Sequence, residues 1–280
     1  MDTTTSAALF TNITLPFMRL YWVTIVLVVL LPSAVIVGHK VGSAARRRRA
    51  AVGRIDDAPG NDVEVGAILA LLGLLLAFSF GNALSTSQAT KSAITNEAAA
   101  LGTAFLRADY LPDPGRTNLQ TALLDYARTR VAPPEPLNDM ASVRAFLDNS
   151  LREQEKIWPL TLSATADPLP APLQAFVAGA VNDALDAHLY RVETLAIPVS
   201  EVAQTMMLVA ALVSLYLIGN QAGHEGRTLN WRSFVLASIL FVVMLTIVDT
   251  QRTNDGLIRV STAPISATIF DMEQALKGRI

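Results

Sequence analysis

The side chains able to do chemistry in this sequence are few and widely spaced. Glu97, Arg107, Arg130, Asn182, Asp186 and Arg191 fall in segments whose apolar residues recur at helical spacing. Asn182 and Asp186 stand four apart and share a helix face, with His188 and Arg191 turned partly away from it. Such a set serves either as a hydrogen-bonded network joining helices through Glu97, Arg107 or Arg130, or as a site for a cation or other ligand inside a bundle. No catalytic constellation accompanies it. His39, His188 and His224 lie in three separate segments, without the His-x-x-x-His or His-Glu-x-x-His spacing of a metal site. Gly115 and the glycines at 219–226 lack the Gly-Lys-Ser/Thr ending of a phosphate loop, and no serine sits in Gly-x-Ser-x-Gly. The absence of cysteine excludes disulfides, thiolate catalysis and Cys-ligated metals. The sequence predicts no enzyme, no cofactor and no bound metal.

What must position these residues is a helical frame in a bilayer. At 51% hydrophobic and 16% charged, the chain is too apolar for a soluble protein and too charged for a wholly membranous one. Both characters are local. Apolar runs at 20–37, 65–84, 198–219 and 233–249 are long enough to cross hydrocarbon as helices. Residues 1–19 read as a loose Thr-rich start, 38–64 as a basic, turn-rich loop, 220–232 as a second short loop and 250–280 as a C-terminal tail. Between the second and third spans, 85–197 reads as four helices. Leu111-Pro-Asp-Pro-Gly, Ala132-Pro-Pro-Glu-Pro, Trp158-Pro159 and Ile197-Pro198 interrupt or end them, and no alternation reaches strand length. The predicted fold is all-α: four transmembrane helices with a helical-bundle extramembrane domain between spans 2 and 3.

The first run lacks a preceding positive charge and so does not read as a cleavable signal. Lys40, Arg46–Arg49 and Arg54 follow it, and short loops rich in Lys and Arg stay cytoplasmic. Alternation then places the helical domain and the tail outside. A net charge of −2 argues against nucleic acid as a partner.

The second span runs without a Pro or Gly break from Asn82 to Leu101, so one helix should cross the membrane and continue into water as the first element of the bundle. Gly66, Ala70, Gly73, Ala77 and Gly81 form a small-residue stripe of the kind that lets helices approach closely in lipid. Leu72, Leu76, Phe80 and Leu84 lie beside it, and Ser79, Asn82 and Thr86 cluster on roughly the opposite side. Hydroxyls and an amide at membrane depth either bond to a neighbouring helix or line a conduction pathway. Glu201, in the first turn of the third span, reads as an acid favoured by the helix dipole or as a cation-favouring charge at a pore mouth.

GLLLAFSFGNA followed by NEAAALGTAFLRADYLP resembles the signature of the bacterial bestrophin-like family. Leu106-Arg107, Tyr126-x-x-x-Arg130, AVNDALDAHLYR with its following Ile-Pro, and VDTQRTNDGLIRV extend the resemblance over most of the chain. In the last of these Gln251 and Thr253 replace an acid and a proline of the family pattern, and the arginine pair usual before the Glu97-Ala98 position is missing. The resemblance implies a multi-pass protein of the bacterial inner membrane, a homo-oligomer in the lipid bilayer conducting inorganic ions, with anions the default. It also implies a ring of apolar side chains on the second span, which Leu76-x-x-x-Phe80-x-x-x-Leu84 fits. Bestrophins keep the corresponding domain in the cytoplasm, opposite to the orientation the arginines give. The rival class is a non-conducting membrane sensor or scaffold whose bundle binds a ligand or protein.

Overall fold

The computed structural model describes residues 19–53, 62–131, 133, 140–166, 168–196, 201–251 and 261–278. The loose start, Arg54 and most of the connector after it, Pro198 and the Thr253 region of the tail motif lie outside the described residues, as does the side chain of Glu201.

Among the described residues eight α-helices follow in order: α1 Leu20–Ala51, α2 Asp62–Arg107, α3 Gly115–Thr129, α4 Met140–Ala164, α5 Ala171–Ala196, α6 Glu201–His224, α7 Trp231–Thr250 and α8 Ala263–Lys277. A 3-10 turn at Ala108–Tyr110 caps α2, and no strand occurs among the described residues. α1, α2, α6 and α7 are each long and apolar enough to cross a membrane. At a rise of about 1.5 Å per residue, α2 runs on the order of 70 Å, about twice the hydrocarbon thickness. It therefore belongs to both halves of the molecule, as its unbroken sequence implies.

In the membrane half, Leu27, Leu31 and Val35 of α1 meet Leu72, Leu76 and Ala83 of α2, Met207, Ala211 and Leu215 of α6, and Ala237, Leu240, Met244 and Ile247 of α7. The closest pairing is α1 with α6. A Cβ on Gly38 would lie 2.1 Å from the Tyr216 carbonyl oxygen, and one on Gly42 2.1 Å from that of Asn220. From the other side, Gly219 and Gly223 press on the backbone of Val35 and His39. Two Gly-x-x-x-Gly pairs thus interlock, and only glycine lets the backbones touch. His39 Nε2 reaches the Arg227 carbonyl at 3.0 Å, tying the same crossing to the short loop after α6.

In the extramembrane half, Leu101, Ala104 and Phe105 of α2 pack with Leu119, Leu123 and Tyr126 of α3, Ile157 of α4, Val177, Val181 and Ala184 of α5, and Met272 of α8. Three elements differ from the sequence reading. α1 runs on to Ala51 through much of the stretch read as a basic loop, because Gly38 and Gly42 pack it against α6, so Lys40 and Arg46–Arg49 stand on its last turns. α4 runs through Pro159 to Ala164, because Ile157 and Thr161 are fully buried against the bundle and packing outweighs one missing backbone donor. Within the tail, α8 docks on α2 through Ile265, with the Thr268 hydroxyl 3.4 Å from the Ala98 carbonyl. An Arg128–Glu273 pair at 2.7 Å fixes α8 to α3.

Candidate functional site

Two regions hold the residues singled out above: the membrane-depth surface of α2 and a charged cluster inside the bundle. On α2 the apolar candidates divide. Leu72 and Leu76 are buried against α1, α6 and α7, whereas Phe80 and Leu84 are 43% and 45% exposed. The small-residue stripe lies on the open side: a Cβ on Gly66, Gly73 or Gly81 would meet nothing within 4 Å. Ala70 and Ala77 are exposed beside them. No helix among the described residues covers this face. Of the polar candidates, Asn82 is exposed, Ser79 and Thr86 are half-buried, and the Thr86 hydroxyl donates to the Asn82 carbonyl at 3.1 Å. The open face continues beyond the membrane through exposed Gln88, Lys91 and Thr95.

The bundle cluster is built by three helices. Glu97 of α2 is fully buried and receives Arg130 Nε on Oε1 and Arg191 Nη1 on Oε2, each at 2.6 Å. Arg191 Nη1 also donates to the carbonyl of Arg130, the C-cap of α3, at 3.1 Å, which satisfies one of the acceptors at that helix end. Beside them the buried Tyr126 hydroxyl stands 2.6 Å from His188 Nδ1. Burial, with Arg130 and Arg191 adding to it, holds the His188 imidazole down at about 2, so it is neutral at any physiological pH. Burial also pushes the Tyr126 phenol well above its ordinary range. Desolvation lowers Arg191, but Glu97 opposes this and the guanidinium stays charged.

The other polar candidates lie elsewhere. Arg107 stacks on Phe176, 4.1 Å from the ring centroid, and donates to the Phe176 carbonyl at 3.1 Å. Asn182 donates to Asp186 at 3.0 Å on the exposed face of α5. The six bundle residues thus resolve into a buried trio, Glu97 with Arg130 and Arg191, an α2–α5 tie and a surface pair. Among the described residues no group of His, Cys, Asp and Glu could hold a metal. Tyr126 and His188 are members of the cluster that side-chain type did not nominate. The signal was positional: Tyr126 continues the buried Leu119–Leu123 stripe of α3, and Val177, Val181 and Ala184 form an apolar stripe on α5 that continues at the same spacing into His188 and Arg191, all five buried. An ionisable residue at the next position of a core stripe must find partners inside.

Compared with models of known protein families, residues 32–265 match the one described as a bestrophin-like domain. No curated protein and no solved structure matches the chain.

Proposed function

The chain belongs to the bestrophin-like family, and from that premise we propose that it is an oligomeric ion channel, passing anions, with its pore along α2. The uncovered face of α2 carries this reading. A helix whose open side met only lipid would have no use for Gly66, Ala70, Gly73, Ala77 and Gly81 in one stripe; a helix packed against its copies in neighbouring subunits would. Phe80 and Leu84 adjoin that stripe and are the apolar candidates left free to reach a shared axis. An apolar ring there gates by dewetting, conducting only when it widens. Two turns beyond Leu84 the same face presents Lys91, whose charge in each subunit would draw anions toward the mouth. The orientation given by Arg46–Arg49 puts that mouth on the outer, periplasmic side.

Flux measurements in proteoliposomes test the pore assignment. Phe80→Ala should raise chloride efflux several-fold over the parent, and Asn82→Ala should leave it unchanged. An inert Phe80→Ala with altered efflux in Asn82→Ala would place the polar stripe of Ser79, Asn82 and Thr86 on the axis instead. Absence of flux from parent and variants across several salts would favour the non-conducting sensor or scaffold.

A further inference from the structure

We infer that the cluster around Glu97 is a binding site for one small monovalent anion of the halide class, held by Arg130 Nη1 and His188 Nε2. Charge is the first reason. Arg130 and Arg191 are both ion-paired to Glu97, and among the described residues no second carboxylate is paired to either. Two guanidiniums against one carboxylate leave one positive charge over, at side chains 1%, 6% and 0% exposed. Neither Tyr126, held as a phenol, nor His188, held as a neutral imidazole, cancels it. A buried charge without a counter-charge is among the costliest features a fold can carry.

Hydrogen bonding is the second reason, and it points the same way. Among the described residues the Tyr126 hydroxyl has no other acceptor, so we assign its hydrogen to His188 Nδ1, which places the ring hydrogen on Nε2. His188 Nε2 and Arg130 Nη1 are both buried and meet no partner among the described residues. Both are donors. Two unmatched donors beside one unmatched positive charge describe an anion. A cation would add to the surplus positive charge, and a water would satisfy the donors but leave that charge. Tyr126, Arg130 and His188 are each 2% exposed or less, and surroundings so closed suit a monatomic ion rather than a carboxylate on a larger ligand. Because Glu97 belongs to the helix that also spans the membrane, a bound halide would fasten α2 to α3 and α5. The site stands in the extramembrane bundle and holds whether or not the chain conducts.

Thermal unfolding of the full chain in detergent, followed by tryptophan fluorescence, tests this without reading flux. Sodium gluconate is replaced by sodium chloride or bromide at constant ionic strength. The melting temperature should rise with halide and saturate as for one site. In Tyr126→Phe/His188→Phe, which removes the Nε2 donor together with the hydroxyl it would orphan, the half-saturating halide concentration should increase at least tenfold. A parent indifferent to halide, or a double variant that responds like the parent, overturns the site. Should the double variant fail to fold, bromide-grown crystals of the parent decide: an anomalous peak within hydrogen-bond reach of Arg130 Nη1 and His188 Nε2 is expected, and its absence refutes the assignment.

Discussion

His188 ties the stability of the bundle to pH. Its imidazole titrates at 6.5 when unfolded and about 2 in the folded bundle, chiefly because burial disfavours the charged form. Above about 6.5 it is neutral in both states and costs nothing. As pH falls below that, the unfolded chain takes up a proton that the native chain does not, so stability declines through the window from 6.5 toward 2. One proton sets the limiting slope at about 1.4 kcal/mol per pH unit. Melting temperatures measured from pH 7 to pH 4 should fall for the parent and fall less steeply for Tyr126→Phe/His188→Phe; parallel curves would show that His188 is not the titrating group. At this scale the sequence was partly legible. Glu97, Arg130 and Arg191 could be nominated by charge, since Arg130 ends the Leu119–Leu123–Tyr126 stripe of its helix. That Glu97 would serve two arginines at once, and that Arg107 would turn away to Phe176, depends on how three helices meet. No single helix encodes that.

The helices themselves were largely written in periodicity, and their ends and partners less so. α8 carries Ile265, Ile269, Met272 and Leu276 on one face, a pattern fully visible within the stretch read as tail. The run of α4 through Pro159 was not visible, because the packing of Ile157 and Thr161 decides it. The α1–α6 crossing was legible but lay outside the stripe that drew attention: Gly38 with Gly42 and Gly219 with Gly223 repeat the four-residue spacing found on α2. These two glycine sets have different consequences. Gly38→Ala drives a Cβ toward a backbone carbonyl that cannot swing aside, and should cost roughly 1–3 kcal/mol, the range for overpacking. Gly66→Ala meets nothing in the chain and should be neutral or gain up to about 1 kcal/mol of helix propensity. Melting in a detergent that keeps the protein monomeric separates them; equal midpoints would contradict the α1–α6 crossing described above.

At the scale of the whole molecule, a charged bundle and a spanning sheaf share one continuous helix, and the remaining questions are which way it points and what covers its open face. From the basic segment at the end of α1 we propose that this end of the molecule lies in the cytoplasm, with the bundle outside. The cysteine-free chain makes labelling clean. A cysteine introduced at Ala50 should be protected from an impermeant maleimide in intact cells, and one at exposed Thr117 should react; the reverse pattern would turn the molecule over. The open face of α2 is the more consequential matter, because no helix among the described residues covers it. Gly73, Ala77, Phe80 and Leu84 make sense as a pore-forming surface only if copies of α2 surround a common axis. A cryo-EM reconstruction of the protein in lipid nanodiscs tests this most directly. A closed ring of subunits with Phe80 and Leu84 facing an axial gap is the expected result, and a monomer, or an assembly in which the Gly73–Leu84 face of α2 meets lipid, would contradict it.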